Sequence, residues 1–124
     1  MAQRKMGGLR LIPDDNGSLR TAVAAALIDI EAELRALQLW ETRPPPPQAL
    51  ASTQPFAIDT LSLPQWLQFI FLPRMHHLVS GDAALPSQCG ITPIAEEYFR
   101  GSSLHVVPLL RALGAVDALL TTGS

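Results

Sequence analysis

From Leu19 the apolar positions fall at Val23, Leu27, Ile30, Leu34 and Leu37, in alternating steps of four and three. That spacing lines one face of an amphipathic α-helix. Asp29, Glu33 and Gln38 lie off the stripe, and Glu31 with Arg35 forms a favourable i, i+4 pair. Alanines at Ala22, Ala24, Ala25 and Ala26 raise helix propensity and let a neighbour approach closely. Ser18 is a good N-cap, so ordered structure is expected from there. The helix is expected to end near Trp40 or Glu41, because Arg43 precedes four consecutive prolines.

The prolines, Pro44 to Pro47, predict an extended polyproline segment acting as a rigid spacer. From there to Ser62 the connection is long, and its polar and aromatic stretch from Ser52 to Thr60 predicts a loop packed on the domain. Ser62-Leu63-Pro64-Gln65 is a capping box with proline in the first turn, which starts a second helix. Trp66, Leu67, Phe69, Ile70, Phe71 and Leu72 make that helix apolar nearly all round, hence buried on most sides. Pro73 should kink it, with Arg74 to Val79 continuing as a shorter piece that ends at Ser80-Gly81-Asp82. Thr92-Pro93 predicts a third helix over Ile94 to Arg100, with Glu96 and Glu97 near its positive end. A turn at Gly101-Ser102-Ser103 leads to a fourth helix, which shows Val106, Leu109, Leu113, Val116 and Leu120 at steps of three and four.

With no alternating strand pattern, these apolar faces have only each other to bury against. The expected fold is all-α: a compact up-and-down bundle of about four helices, with a long packed loop between helices 1 and 2. Residues 18–121 read as a single domain and 1–17 as a mobile extension. The length of 124 residues leaves room for one core. With 48% hydrophobic residues the chain is too apolar to be disordered throughout.

Charge and cysteine content narrow the classes of function. The net charge is −2, and the eight arginines are scattered, so nothing tracks a phosphate backbone and nucleic acid is disfavoured as a partner. The lone Cys89 excludes an internal disulfide and fits a reducing compartment. The longest strictly apolar run, Ala22 to Ile28, is far too short to span a membrane. Asp29, Glu31 and Glu33 follow it where a signal-peptide cleavage site would need small residues. A cytoplasmic location without membrane attachment is expected.

Catalytic patterns are missing. His76 and His77 are adjacent, so on a helix they diverge by about 100° and cannot share a metal as an i, i+4 pair would, while His105 stands alone. Cys89 sits in a polar loop with no base indicated nearby. Phosphate-loop, dinucleotide and nucleophile-elbow motifs do not occur, so no cofactor, no metal site and no enzymatic activity are expected. Asp59 and Arg74 would stand roughly 15–18 Å apart on one helical unit at about 1.5 Å per residue. Asp59 therefore reads as an N-terminal cap aided by Thr60, and Arg74 as reaching carbonyls freed by Pro73 or a partner's carboxylate.

Ser52-Thr53-Gln54-Pro55-Phe56, Asp59-Thr60, Trp66-Leu67-Gln68 and Pro73-Arg74-Met75-His76 together resemble, in order and spacing, the YqcC-like family of small bacterial proteins. The helix ending in Trp40 and the closing Val116-Asp117-Ala118-Leu119 extend the resemblance over Leu19 to Leu120. It implies an all-helical domain and brings no catalytic residues with it. In some bacteria the family's gene neighbours that of a tRNA pseudouridine synthase, which points to a partner in tRNA modification.

The expectation is a non-enzymatic accessory protein that binds a protein partner. Its candidate surface is Gln54, Phe56, Asp59, Trp66, Arg74, Met75 and His76, an aromatic or methionine anchor with an arginine at the rim. The alternatives are an RNA-binding helper and a small-molecule-binding bundle with a pocket lined by Trp66 and Phe69.

Overall fold

The computed structural model describes residues 15–81 and 83–122. Its helices are α1 (Asp15–Ala36), a one-turn α2 (Pro47–Leu50), α3 over 63–80, α4 (Ile91–Tyr98) and α5 (Val107–Thr122). A 3-10 turn (Pro55–Ala57) lies between α2 and α3, and there is no strand among the described residues. The fold is the all-helical bundle that the apolar periodicity predicts, with α1, α3, α4 and α5 as its four principal helices.

The first and last helices form its main seam. Val23, Leu27, Ile30 and Leu34 from α1 are completely buried, as are Leu109, Leu113 and Val116 from α5. Both stripes are those read from spacing alone. Burying each such side chain contributes about 1.5–3 kcal/mol relative to leaving it exposed. Leu67, Phe71, Leu72 and Met75 of α3 and Ile91 and Ala95 of α4 complete one continuous core.

Element ends depart from expectation in instructive ways. Helix α1 already includes Asp15, so Ser18 lies inside it rather than at its cap. The rest of the expected extension, 1–14, lies outside the described residues, as does Asp82. At the other end α1 stops at Ala36, before Trp40. Gln38 takes a left-handed φ of 61°, its N–H donates to the Arg35 carbonyl (3.0 Å), and the Leu39 N–H donates to the Leu34 carbonyl (2.9 Å). This is a Schellman closure with glutamine where glycine is usual, at a cost of about 1–2 kcal/mol in backbone strain. The Glu31–Arg35 pair forms as expected, at 2.9 Å, and the Arg35 guanidinium lies 4.5 Å over the Trp40 ring.

Pro46 is extended (φ −58°, ψ 148°), but Pro47 opens α2 instead of continuing the polyproline segment. Its missing N–H would have had no intrahelical partner at that position anyway. In α3 the capping box is present: the Gln65 N–H donates to Ser62 Oγ (3.2 Å) and the Ser62 N–H to Gln65 Oε1 (2.9 Å). Asp59 is not the cap. Its carboxylate instead accepts the Ser52 hydroxyl (2.6 Å), while the Thr60 hydroxyl donates to the Ala49 carbonyl (2.7 Å).

The interruption expected at Pro73 takes the form of a π segment, Leu67–Phe71, between the α segments Leu63–Trp66 and Leu72–Ser80. The Leu72 N–H reaches back to the Leu67 carbonyl, and Leu72 keeps helical angles of −61° and −47°. One wide turn absorbs the donor that proline lacks, and the helix runs on. Arg20 of α1 donates to the Leu78 carbonyl (2.6 Å) and to the Ala83 carbonyl, satisfying backbone groups where α3 ends.

Helix α4 starts at Ile91, earlier than Thr92-Pro93 suggests, so Glu96 and Glu97 fall in its second half and not at its positive end. The charge at that end comes from α5. The Asp117 carboxylate accepts the N–H groups of Ile91 (3.0 Å) and Thr92 (2.8 Å), which pins α4 to α5 and favours an anion at a helix N-terminus.

Candidate functional site

The loop between α2 and α3 is built around a tight turn that displays Phe56. The Ala57 N–H donates to the Gln54 carbonyl (2.9 Å), with Pro55 and Phe56 at the corner positions. Phe56 has φ 57° and ψ 17°, and Ala57 follows at φ 48°. Two successive left-handed residues that are not glycine cost of order 1–3 kcal/mol each and persist only where the surroundings impose them. Here the surroundings are aromatic. The Phe56 ring meets Trp66 edge-on (4.8 Å between centroids, 62°), and Trp66 stacks on Phe71 (5.3 Å, 29°). Ala57 is buried beneath the turn, and its carbonyl accepts the N–H groups of Thr60 (3.0 Å) and Leu61 (2.8 Å).

Two grooves flank this aromatic row. The first, about 310 Å³, is bordered by Leu50, Ser52, Gln54 and Pro55 of the loop, by Phe56, and by Trp66, Ile70 and Arg74 of α3. The second, about 270 Å³, lies between α3 (Trp66, Phe71, Arg74, Met75, Leu78) and the start of α4 with the segment before it (Pro86, Gln88 to Ile91), and Phe56 and Leu120 also line it. A smaller apolar cleft of about 120 Å³ opens on the far side of Phe56, against Ile58, Leu61, Leu63, Ile94 and Tyr98. Ile58 is 73% exposed there and Tyr98 half-exposed.

The expected surface is thus partly assembled. Gln54, Phe56, Trp66 and Arg74 converge on the first groove. They do so because the loop doubles back along α3, so residues far apart along the helix axis come to share one groove. Arg74 is exposed and makes no hydrogen bond or ion pair among the described residues, so it does not reach carbonyls near Pro73. Met75 is 2% exposed: it belongs to the core floor of the second groove and is no rim anchor. Asp59 is occupied by Ser52, and His76 is exposed and borders none of these grooves. Phe69 also stays outside them, whereas Trp66 borders two.

What holds the site in place was not evident beforehand. Gln68 is the buried polar side chain of the core among the described residues. Its Oε1 accepts the Glu41 N–H (2.8 Å) and its Nε2 donates to the Glu41 carbonyl (2.7 Å), which clamps the loop to α3. Gln65 Nε2 adds contacts of 3.3 Å to both carboxylate oxygens of Glu41. The available signal was a glutamine in the middle of an otherwise apolar helix, since a buried amide needs partners.

Cys89 has a structural setting. Burial, then the neighbouring Asp117 carboxylate, pushes its thiol up to about 12 from 9.0, so it is protonated at neutral pH and a poor nucleophile. For Asp117, burial alone would raise the carboxyl. Hydrogen bonds from Thr92, Cys89 and Ile91 outweigh it, so the net direction is down from 3.8. Among the described residues no three His, Cys, Asp or Glu side chains gather as metal ligands, and no helix is long and apolar enough to cross a membrane.

Comparison with known proteins places these features in a family. The family model DUF446, described as tRNA pseudouridine synthase C, matches residues 22–119. An uncharacterized protein of Haemophilus influenzae is 39% identical over 101 residues, 82% of this chain and 94% of that one. YqcC of Escherichia coli is 36% identical over 90 residues, 73% of this chain and 83% of YqcC. Its solution NMR structure superposes with a TM-score of 0.76 at 32% identity, covering 86% of this chain and 91% of that one. A Pectobacterium carotovorum protein named tRNA pseudouridine synthase C is 39% identical over 84 residues, 68% of this chain but only 22% of that protein.

Proposed function

The chain belongs to the DUF446 family, with YqcC of Escherichia coli as a relative of the same fold, and from that premise we propose that it is a non-enzymatic accessory protein of the cytoplasm. It acts by binding a protein partner through the grooves around Phe56. The observation that carries this reading is the turn at Phe56 and Ala57, where backbone strain is spent on holding an aromatic ring between two grooves. Backbone strain of this kind clusters at functional sites. Arg74 beside it is exposed and has no partner among the described residues, the state of an interface arginine awaiting a carboxylate.

The partner in this reading is a tRNA pseudouridine synthase. Support comes from the Pectobacterium carotovorum protein of that name, of which a chain like this one is only 22%. A unit that is covalently joined to an enzyme in one protein and separate in others fits a pair that associates, since linkage replaces a bimolecular encounter by a high effective concentration. A single cysteine, with no second one to form an internal disulfide, suits a reducing compartment.

Affinity purification from the native cell tests the proposal, with Arg74→Ala and Phe56→Ala as controls. Recovery of the synthase with the wild-type chain, and its loss with folded forms of both variants, is the expected result. Wild-type chain that recovers no partner protein would overturn it.

A further inference from the structure

We propose that the surface around Phe56 recognises a short acidic segment of the partner, with an apolar side chain next to a carboxylate. This rests on the reading of the chain as a protein-binding accessory. The geometry points to it in three ways. The two larger grooves, about 310 and 270 Å³, each have room for a large side chain, and they are separated by the Phe56–Trp66 pair. Arg74 borders both grooves and is the only charged side chain among the described residues lining either one. Its guanidinium has no counter-charge among those residues, although the chain as a whole carries a net charge of −2. The one nearby loop acid, Asp59, is held by the Ser52 hydroxyl and lines neither groove.

A cation unpaired among the described residues, between a polar groove and an apolar one, is complementary to an acid next to an apolar anchor. The apolar anchor supplies buried area in the second groove, and the guanidinium–carboxylate pair fixes register. A nucleic acid fits less well. Binding RNA by stacking needs free ring faces and several cations, whereas the Trp66 ring is committed to Phe56 and Phe71 and Arg74 is the one cation lining these grooves among the described residues.

The test selects a phage-displayed random peptide library on the full-length chain, then measures the selected peptides against the wild type, Arg74→Glu and Arg111→Glu. Arg111 is exposed on α5, away from both grooves, and controls for net charge. Circular dichroism confirms that each variant is folded. Enrichment of an Asp or Glu next to an apolar residue is expected. Affinity should fall by about tenfold or more in Arg74→Glu, a hot-spot-sized loss, and remain in Arg111→Glu. Exchanging the peptide's acid for lysine should restore binding to Arg74→Glu.

Peptides without an acid, equal binding to Arg74→Glu, or no selected peptide at all would overturn the inference. So would tRNA bound through Arg74 in place of peptide. Affinity purification with Arg74→Glu separates the two levels. A partner kept by both wild type and variant sinks the acidic-segment inference alone, and no partner with either sinks the accessory reading.

Discussion

The α1–α5 seam and the loop from Glu41 to Leu61 are held by different physics. The seam is two apolar stripes in register, and every fully buried residue on it follows a spacing of three or four. The loop has no period. It is tied down by individual polar contacts (Gln68 on the Glu41 backbone, Ser52 on Asp59, Thr60 on Ala49) and by one aromatic ring on another. The seam spreads its stability over many interchangeable contacts. In the loop it is concentrated in a few specific ones, and the candidate site sits on that side of the divide.

The largest expected effect lies in the seam. Leu113→Ala removes a fully buried side chain and should cost about 3–5 kcal/mol in urea denaturation, from lost burial plus the cavity left behind. If instead it costs less than Gln68→Ala, the division fails. Gln68→Ala should come next, at about 1–3 kcal/mol, since it removes both hydrogen bonds to the Glu41 backbone and a side chain buried in the core. Hydrogen exchange should localise the loss of protection to the loop, whereas equal loss across α1 and α5 would show that the clamp serves the whole bundle.

A smaller effect is expected at the α4–α5 junction, which mixes both modes. Asp117→Ala removes the cap from α4 and should cost about 0.5–2 kcal/mol. Because the folded carboxyl lies below its usual 3.8, the stabilisation is present above that value and is lost as pH falls through the folded pKa. The wild type should therefore weaken below about pH 4 more steeply than the variant in acid titrations followed by circular dichroism. Cys89 acts at the other extreme. Its thiol, at about 12 folded against 9.0 free, contributes stability that is lost as pH rises from about 9 to 12. Cys89→Ala should flatten that alkaline decline.

The smallest expected effect is a gain. Gln38→Gly relieves a left-handed residue at the end of α1 and should raise stability by about 0.5–1 kcal/mol, net of the extra freedom of the unfolded chain. A loss would mean that the Gln38 side chain has a role its backbone does not reveal.

Much of the fold was legible because helix burial is periodic. The stripes of α1 and α5, the capping box at Ser62 and the Glu31–Arg35 pair all depend on residues within four positions of each other, where backbone geometry alone decides proximity. The aromatic and arginine character of the candidate site was legible too, through Phe56, Trp66 and Arg74. The end of α1 was not, because a glutamine took a conformation that glycine usually marks.

By itself, then, the sequence determined the helices, their inward faces and the family to which the chain belongs. Tertiary structure alone decided that Gln68 grips Glu41 across 27 positions, that Arg20 meets the end of α3 across 58, and that Asp117 caps α4 from α5. It also moved Met75 into the core and set Arg74 on the border of two grooves with no partner among the described residues. The physical reason is range. Hydrophobic periodicity is written locally and averaged over many residues, whereas a polar partner or a groove exists only after distant segments have met, and nothing in the local pattern encodes which ones will.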